Sequence, residues 1–133
     1  MIVADANLTV YLFVTGARTA EAEAVLRRDP RWAAPLLWRS EVRNALIGLV
    51  RGGTLSIDEA LSVIANAERL LAGCEFALPS SRVLLLAQQS GCSAYDCEYV
   101  ALAEDLGVPL VTTDRALLRA FPDRAIAPRV FLG

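Results

Sequence analysis

Five short apolar segments alternate with longer segments of helical periodicity, and this alternation constrains the fold more than any other feature of the sequence. Each apolar segment has the length and composition of a buried strand. Strands that alternate with helices are joined by right-handed crossovers, which give a parallel sheet covered by helices on both faces. The predicted strands are IVAD at 2–5, WAAP at 32–35, CEFAL at 74–78, LVTT at 110–113 and AIAP at 125–128. The sequence therefore predicts an α/β protein with a parallel sheet.

Several helices have clear beginnings and ends. Apolar residues recur at helical spacing from Trp38 to Arg51, and the pair Gly52-Gly53 ends that helix. Ser56-Ile-Asp-Glu59 is a capping box that begins the next helix. Another helix begins at Ser93 and ends at Gly107. The remaining helical segments are LTVYLFV, AEAEAVLRR, SRVLLLAQQ and RALLRAF, with a break at Thr15-Gly16 between the first two. No element is predicted after residue 128.

The length and hydropathy of the chain indicate one soluble domain. A chain of 133 residues fits a single domain spanning 1–133. Its mean hydropathy is high at +0.42, but no apolar run approaches the ~20 residues needed to cross a bilayer. The N-terminal apolar segment lacks a basic flank and is interrupted by Asp5 and Asn7, which argues against a signal peptide. We expect a cytoplasmic protein without a membrane segment, with part of the apolar surface buried in a subunit interface.

Two missing residue types exclude much of enzyme chemistry. The sequence contains neither histidine nor lysine, so histidine triads, Schiff bases, P-loop phosphate binding and lysine-dependent phospho-aspartate chemistry each lose a required group. The three cysteines have no CxxC spacing, and we interpret them as reduced apolar residues. What remains is 15 acidic residues, 13 arginines and hydroxyls. The net charge of −2 argues against a generally basic nucleic-acid binder, but leaves room for a polyanion bound through local arginines and metal.

Four carboxylates are predicted to meet at one edge of the sheet. Asp5 ends the first strand and Asp114 ends the fourth, and ligands of such sheets bind beyond the carboxyl ends of the strands. Glu41 lies in the first turn of the helix that follows the second strand. Asp96 begins a helix that only Gly107-Val108-Pro109 joins to the fourth strand, so this helix runs antiparallel to that strand and begins at the same edge. The helix before it must lie crosswise or be followed by a returning loop such as Ser90-Gly91-Cys92.

Each of these acids also has an ordinary structural explanation. Asp96 shares a helix face with apolar residues at i+3, i+4 and i+7, which directs it toward the sheet, but it is also spaced to complete a capping box with Ser93. Asp114 is placed to cap the following helix, and Asp5 to form a turn at the end of its strand. Glu41 could pair with Arg39 or Arg43. Capping a helix does not prevent a carboxylate from binding a metal.

The number of acids at one edge requires a neutralising group. Two carboxylates about 4 Å apart repel by roughly 4 kcal/mol at an effective dielectric constant near 20, against a stability of ~5–15 kcal/mol for a whole domain. Arginine, protonation or a divalent cation could neutralise the cluster. Oxygen ligands with open positions suit Mg²⁺ or Mn²⁺, which keep several waters and accept phosphate oxygens of a substrate.

Four motifs together resemble a known family. The segments IVADAN at 2–7, SEVRNAL at 40–46, AYDCEYVALAEDLG at 94–107 and VTTDR at 111–115 are similar, in order and spacing, to the motifs of PIN-domain ribonucleases, specifically VapC-type toxins of toxin–antitoxin modules. The resemblance covers essentially the whole chain. It implies a three-layer α/β/α fold with a five-stranded parallel sheet, an acidic pocket that binds Mg²⁺ or Mn²⁺, and hydrolysis of RNA phosphodiester bonds.

The resemblance also assigns roles to individual residues. Asp5 and Asp96 match the principal metal ligands, Asp114 matches the acid of the T-x-D motif that assists them, and Glu41 matches the helix glutamate. In support, Thr112 matches the threonine of T-x-D, and Asn7 matches the polar residue of D-x-N that supports the first aspartate. Metal bound by these acids would activate a water for attack on the scissile phosphate, with Glu41 or Asp114 orienting that water or completing a second metal site.

The sequence departs from the family pattern in three respects. Ala116 stands where members often carry a further acid, which leaves a second metal weakly held. Glu98 is spaced to face away from Asp96, and we interpret it as a surface residue. Because lysine is missing, RNA contacts must fall to the arginines nearest the edge: Arg39, Arg43, Arg115 and Arg119.

The resemblance implies partners as well as an activity. They are an RNA substrate, a cognate VapB-like antitoxin and a second copy of the chain in a homodimer. The alternative function is a non-catalytic interaction module that keeps the fold and binds an arginine of a basic partner in its acidic pocket. A phospho-aspartate receiver is a weaker alternative, since the lysine it requires is missing.

Overall fold

All five predicted strands are present and pair in parallel. The structure is a computed structural model that describes all 133 residues. The strands, numbered in chain order, are β1 (Ile2–Ala4), β2 (Trp32–Pro35), β3 (Glu75–Phe76), β4 (Leu110–Val111) and β5 (Ala125–Ile126). Their order in the sheet is β3-β2-β1-β4-β5, and every neighbouring pair is parallel. The predicted α/β class and five-stranded parallel sheet are confirmed.

The central strand explains why the first residues of the chain are apolar. Val3 of β1 pairs with Ala33 of β2 on one side and with Leu110 of β4 on the other. All three residues of β1 are at most 1% exposed. A strand buried on both faces reads as an unbroken apolar run, as parallel sheets covered by helices require. The carboxyl ends of β1 and β4 therefore lie side by side.

Eight helices flank the sheet. The α3 helix begins three residues after β2, the capping box of Ser56 and Glu59 is formed at the start of α4, and the predicted break separates α1 from α2. The short C-terminal helix α8, which begins with Pro128 and packs against α2, was not predicted. The helices are α1 (Ala6–Phe13), α2 (Thr19–Arg28), α3 (Trp38–Arg51), α4 (Ile57–Leu71), α5 (Ser80–Ser90), α6 (Ala94–Leu106), α7 (Arg115–Ala120) and α8 (Pro128–Leu132).

Contacts between α5 and α6 fix the orientation of the helix that carries Asp96. Arg82 at the start of α5 forms ion pairs with Glu104 and Asp105 at the end of α6, at 3.0 and 2.5 Å. Ser90 at the end of α5 contacts Cys97 at the start of α6. The two helices are therefore antiparallel, and the chain returns between them through Gly91 in the left-handed conformation (φ 74°). This returning loop is one of the two arrangements that the sequence left open.

One core of 26 buried residues links the sheet to the surrounding helices. Trp32, Trp38 and Tyr99 are its largest fully buried side chains. Every buried side-chain nitrogen or oxygen has a hydrogen-bond partner. The three cysteines are free, and Cys97 is fully buried among apolar residues of α5 and α6. None of the helices combines the length and apolar character that crossing a bilayer requires.

Candidate active site at the carboxyl edge of the sheet

The four predicted carboxylates line one open pocket beyond the carboxyl ends of β1 and β4. The pocket has a volume of about 250 Å³, and no basic side chain contributes to its walls. Its lining consists of the four acids, two asparagines and three apolar residues: Asp5, Glu41, Asp96, Asp114, Asn7, Asn44, Ala6, Val10 and Ala45. The structure thus brings together the residues that the topology of the sheet predicted at this edge.

Asp5 is held in place through both carboxylate oxygens. It is the N-cap of α1, where Oδ1 accepts the backbone N–H of Ala6 at 2.7 Å. Oδ2 accepts the hydroxyl of Thr112 at 2.6 Å. The oxygen of that hydroxyl in turn accepts the backbone N–H of Asp114 at 3.0 Å. With Asp5 only 9% exposed, these bonds fix its orientation between the ends of the two strands.

Asp114 both caps a helix and lines the pocket. Its Oδ1 accepts the backbone N–H groups of Ala116 and Leu117 at 2.8 and 3.1 Å, which makes it the N-cap of α7. This is the capping role that the sequence offered as the ordinary explanation. Since a cap uses one oxygen of the carboxylate, the other remains available on the side of the pocket.

Asp96 forms only half of the capping box that its spacing suggested. Its backbone N–H donates to Ser93 Oγ at 3.0 Å, but its carboxylate does not accept the N–H of Ser93 in return. The side chain is partly buried and lines the pocket. The first turn of α6 therefore presents this carboxylate to the pocket rather than using it to cap the helix.

Glu41 has a partner that the sequence did not predict. Its Oε1 accepts the hydroxyl of Tyr99 from α6 at 2.7 Å. The suggested pairing with Arg39 or Arg43 is wrong, because the guanidinium of Arg39 is bound by Glu75 and Glu68 and no ion pair joins Glu41 to Arg43. Tyr99 is 1% exposed, so this bond ties the pocket to the protein core.

The acids are close enough to disfavour one another's charge. Burial raises the pKa of Asp5, and Asp96 and Asp114 raise it further, while the bonds from Thr112 and Ala6 oppose the rise. The pKa of Asp96 is raised by burial and by Asp114. The pKa of Glu41 is raised by burial and by Asp5, Asp96 and Glu98, and lowered by the Tyr99 hydroxyl. The pocket thus holds negative charge that no side chain within it compensates.

The donor chemistry fits a divalent cation held by few protein ligands. No three acidic side chains are arranged so that all of them could bind one ion, which differs from the expected joint site of Asp5, Asp96 and Asp114. Mg²⁺, however, is commonly held by one or two carboxylates together with waters and substrate oxygens. Carboxylates that face an open pocket without a basic side chain match that requirement.

Three further polar residues lie in or near the pocket. Asn44 lines the pocket one helical turn after Glu41, and this i+3 spacing was a signal in the sequence. Glu98, which we interpreted as a surface residue, does not line the pocket, but it is partly buried and lies close enough to Glu41 to raise the pKa of that carboxylate. Asn7, which was predicted to support Asp5, lines the pocket but forms no hydrogen bond with Asp5.

The four predicted RNA-binding arginines occupy different surroundings. The guanidinium of Arg39 lies in a network with two glutamates, so its charge is compensated away from the pocket. Arg43 is exposed at an apolar groove between α3 and α4. Arg115 and Arg119 are exposed on α7, and Arg115 directly follows the pocket residue Asp114. None of these arginines lines the acidic pocket itself.

The five-stranded parallel sheet and the acidic pocket at its carboxyl edge agree with the PIN-like fold that the sequence resemblance implies, and solved structures share this fold. The crystal structure of PAE2754 from Pyrobaculum aerophilum superposes with a TM-score of 0.78 at 24% identity, covering 98% of this chain and 85% of that one. FitAcB from Neisseria gonorrhoeae gives 0.70 at 17% identity, with 97% and 99% covered. A toxin–antitoxin complex from Klebsiella pneumoniae gives 0.68 at 20% identity, with 96% and 98% covered.

Sequence similarity defines the family more narrowly. No family model matches the chain. It is, however, 32% identical over 124 residues to Ribonuclease VapC3 of Pyrobaculum aerophilum, an alignment that covers 91% of this chain and 95% of that protein. The chain belongs to the VapC family of PIN-domain proteins.

Proposed function

We propose that the protein is a metal-dependent endoribonuclease that hydrolyses RNA phosphodiester bonds as the toxin of a type II toxin–antitoxin pair. The observation that carries this proposal is the pocket with four carboxylates and no basic side chain. A relative named as a ribonuclease, which aligns over most of the chain, supports the same activity. Negative charge in such a pocket repels an RNA phosphate, so the proposal requires a bound cation, Mg²⁺ or Mn²⁺.

The residues of the pocket divide into ligands and groups that position them. Asp5 and Asp96 would hold the cation, with Asp114 beside them. When bound, the cation would supply a Lewis acid for the scissile phosphate and lower the pKa of a water. Thr112 and the N–H of Ala6 hold Asp5 in one orientation. Glu41, fixed through one oxygen by Tyr99, would use its other oxygen to orient the attacking water.

Cleavage of RNA by the purified protein tests the activity. With Mn²⁺, the wild-type chain is expected to cleave a mixed-sequence RNA, and a chelator is expected to stop cleavage. Asp5→Asn should abolish cleavage while the protein stays folded, as far-ultraviolet circular dichroism would show. Glu23→Gln removes an exposed carboxylate of α2 and should leave the activity unchanged. Cleavage retained by Asp5→Asn in a clean preparation would contradict the assignment.

The toxin role adds two protein partners to the proposal, a VapB-like antitoxin and a second copy of the chain. Large apolar residues remain exposed on two helices, including Ile57 and Leu61 on α4 and Leu84 and Leu85 on α5. Such residues are available for interfaces. Expression of the chain should arrest growth, and co-expression of the antitoxin should relieve the arrest. Light scattering would measure the expected homodimer.

The second candidate is a non-catalytic module that binds an arginine of a basic partner in the acidic pocket. The specific observation in its favour is that no three carboxylates are arranged around one ion position. Thermal unfolding distinguishes the candidates, because a cation that binds only the folded protein raises its melting temperature. An increase with Mn²⁺ that chelation reverses favours the nuclease, and no increase favours the module.

A further inference from the structure

A cleft lined by arginines lies beside the acidic pocket. It has a volume of about 410 Å³, and Arg18, Arg115 and Arg129 contribute to its walls together with Thr113 and a single acid, Glu21. The three arginines come from the segment before α2, the start of α7 and the start of α8. They are distant in sequence, and only the fold brings their guanidinium groups to one cleft.

The cleft and the acidic pocket share a wall. Thr113 and Arg115 line the cleft, whereas Asp114 between them lines the pocket. Asp114 is fixed as the N-cap of α7 by bonds to the N–H groups of Ala116 and Leu117. The two sites are therefore neighbours on the surface, and one RNA strand could occupy both.

The arginines of the cleft carry charge that the protein does not compensate. Arg115 and Arg129 are exposed and form no ion pair, and Arg18 has only a 3.9 Å pair with Glu21 and a position 5.3 Å from the ring centre of Tyr11. Arg39 and Arg82, in contrast, are each bound by two carboxylates. In a chain with a net charge of −2, the cleft is a local positive site next to a strongly negative one.

We propose that this cleft binds the backbone phosphates of the RNA strand immediately beside the phosphate that is cleaved. The proposal rests on the proposed ribonuclease function and names the residues that hold its substrate. A guanidinium binds phosphate oxygens in a planar, bidentate manner. Contacts of this kind position a strand without reading its bases, so the cleft would contribute affinity and register rather than sequence preference.

RNA binding by a cleavage-deficient protein tests the proposal without depending on cleavage. The probe is a fluorescein-labelled single-stranded RNA of about twelve nucleotides, within the range that single-strand binding sites cover, titrated against Asp5→Asn protein by fluorescence anisotropy. Arg115→Gln and Arg129→Gln are then added together to Asp5→Asn. The affinity is expected to fall by about tenfold or more, and the salt dependence of log K to flatten by about 0.7 for each phosphate that the protein no longer binds.

A charge-matched control separates a local effect from that of the net charge. Arg27→Gln and Arg51→Gln, added to Asp5→Asn, also remove two positive charges, but from exposed residues near the ends of α2 and α3. Arg51 lies ten residues beyond Glu41 on α3, about 15 Å along the helix from the pocket. This control should keep the affinity and salt dependence of the Asp5→Asn protein, and both double changes should leave the melting temperature unchanged.

Three outcomes would overturn the proposal. The first is an RNA affinity that the Arg115 and Arg129 changes do not reduce, and the second is an equal reduction by the control changes, which would make net charge the cause. The third is loss of binding to an acidic antitoxin with unchanged RNA affinity, which would identify the cleft as a protein site. The proposed activity fails separately, since wild-type protein that binds RNA through the cleft but never cleaves it contradicts the ribonuclease assignment alone.

Discussion

The hydroxyl of Thr112 donates to Asp5 Oδ2 at 2.6 Å and accepts the backbone N–H of Asp114 at 3.0 Å. One fully buried side chain thus joins the ends of the two central strands and two of the pocket acids. The bond favours the ionised form of Asp5 and partly offsets the rise of its pKa that burial causes. Thr112 therefore helps to fix the orientation of Asp5 and favours its ionised form.

Thr112→Val should impair the pocket more than the fold. The change leaves the N–H of Asp114 without its acceptor and Asp5 held only through the N–H of Ala6, at a cost of about 1–3 kcal/mol in the free energy of unfolding. We expect loss of most RNA cleavage and of Mn²⁺ stabilisation. Thr112→Ser keeps the hydroxyl and should retain most of both. Denaturant unfolding and cleavage rates measure the two effects, and a Thr112→Val protein with full activity would contradict this role.

Tyr99 has the corresponding relationship with Glu41. Its hydroxyl donates to Oε1 at 2.7 Å across a separation of 58 residues, and joins α6 to α3. Burial and the negative charge of Glu41 raise the pKa of Tyr99 far above its usual range, so the phenol remains a hydrogen-bond donor at all physiological pH values. The bond leaves only one oxygen of Glu41 free to act in the pocket.

Tyr99→Phe should lower the rate of cleavage with little effect on RNA affinity. A misplaced catalytic group can cost about 10- to 100-fold in rate, and the lost bond to a carboxylate should reduce the free energy of unfolding by about 1.5–3 kcal/mol. If Tyr99 acts through Glu41, then adding Tyr99→Phe to Glu41→Gln should cause little further loss. Equal losses in both backgrounds, measured as kcat in a double-mutant cycle, would show that the tyrosine acts independently of Glu41.

The positions of the pocket acids were predictable because backbone topology alone determines them. Asp5 and Asp114 end adjacent parallel strands, and a short connection fixes the direction of the helix that carries Asp96. The order of elements therefore specifies the edge at which each residue lies. The capping role of Asp114 was also predictable, because it depends only on the residues that follow Asp114 in the sequence.

The partners of individual side chains were not predictable in the same way. Glu41 bonds to Tyr99, and Arg39 bonds to Glu75 across 36 residues, because those side chains meet only after the layers have packed. Sequence spacing gives the face of a helix but not what lies opposite to it. The five-residue helix α8 is too short to show a clear period, and it forms where Pro128 begins a turn packed on α2.

Addition of Mn²⁺ should raise the melting temperature of the protein, and chelation should reverse the rise. A cation at a hundred times its Kd stabilises the folded state by about 2.7 kcal/mol. Asp96→Asn removes one ligand and should greatly reduce this gain. Without metal, the same variant should be more stable than wild type at neutral pH, because the ionised Asp96 is disfavoured by burial and by Asp114. Glu23→Gln, which changes an exposed residue that does not line the pocket, should show the wild-type response to Mn²⁺.

The ion pair between Arg39 and Glu75 should make the stability of the protein depend on pH. The hydrogen bond from Arg39 holds the pKa of Glu75 below its ordinary value of 4.5. Folding thus favours the ionised form, and this contribution to stability is complete above pH 4.5 and disappears as the pH falls through the lowered pKa. Arg39→Gln should lower the melting temperature at neutral pH, and its difference from wild type should shrink in acid.

The same variant distinguishes a structural arginine from one that binds RNA. Since the guanidinium of Arg39 is already bound by Glu75 and Glu68, Arg39→Gln should leave RNA affinity close to that of wild type even though the melting temperature falls. Arg115→Gln should do the opposite, because Arg115 is exposed and has no carboxylate partner. Thermal unfolding and RNA titration on both variants measure the contrast. A large loss of RNA affinity in folded Arg39→Gln protein would contradict this and show that Arg39 binds RNA, as the sequence predicted.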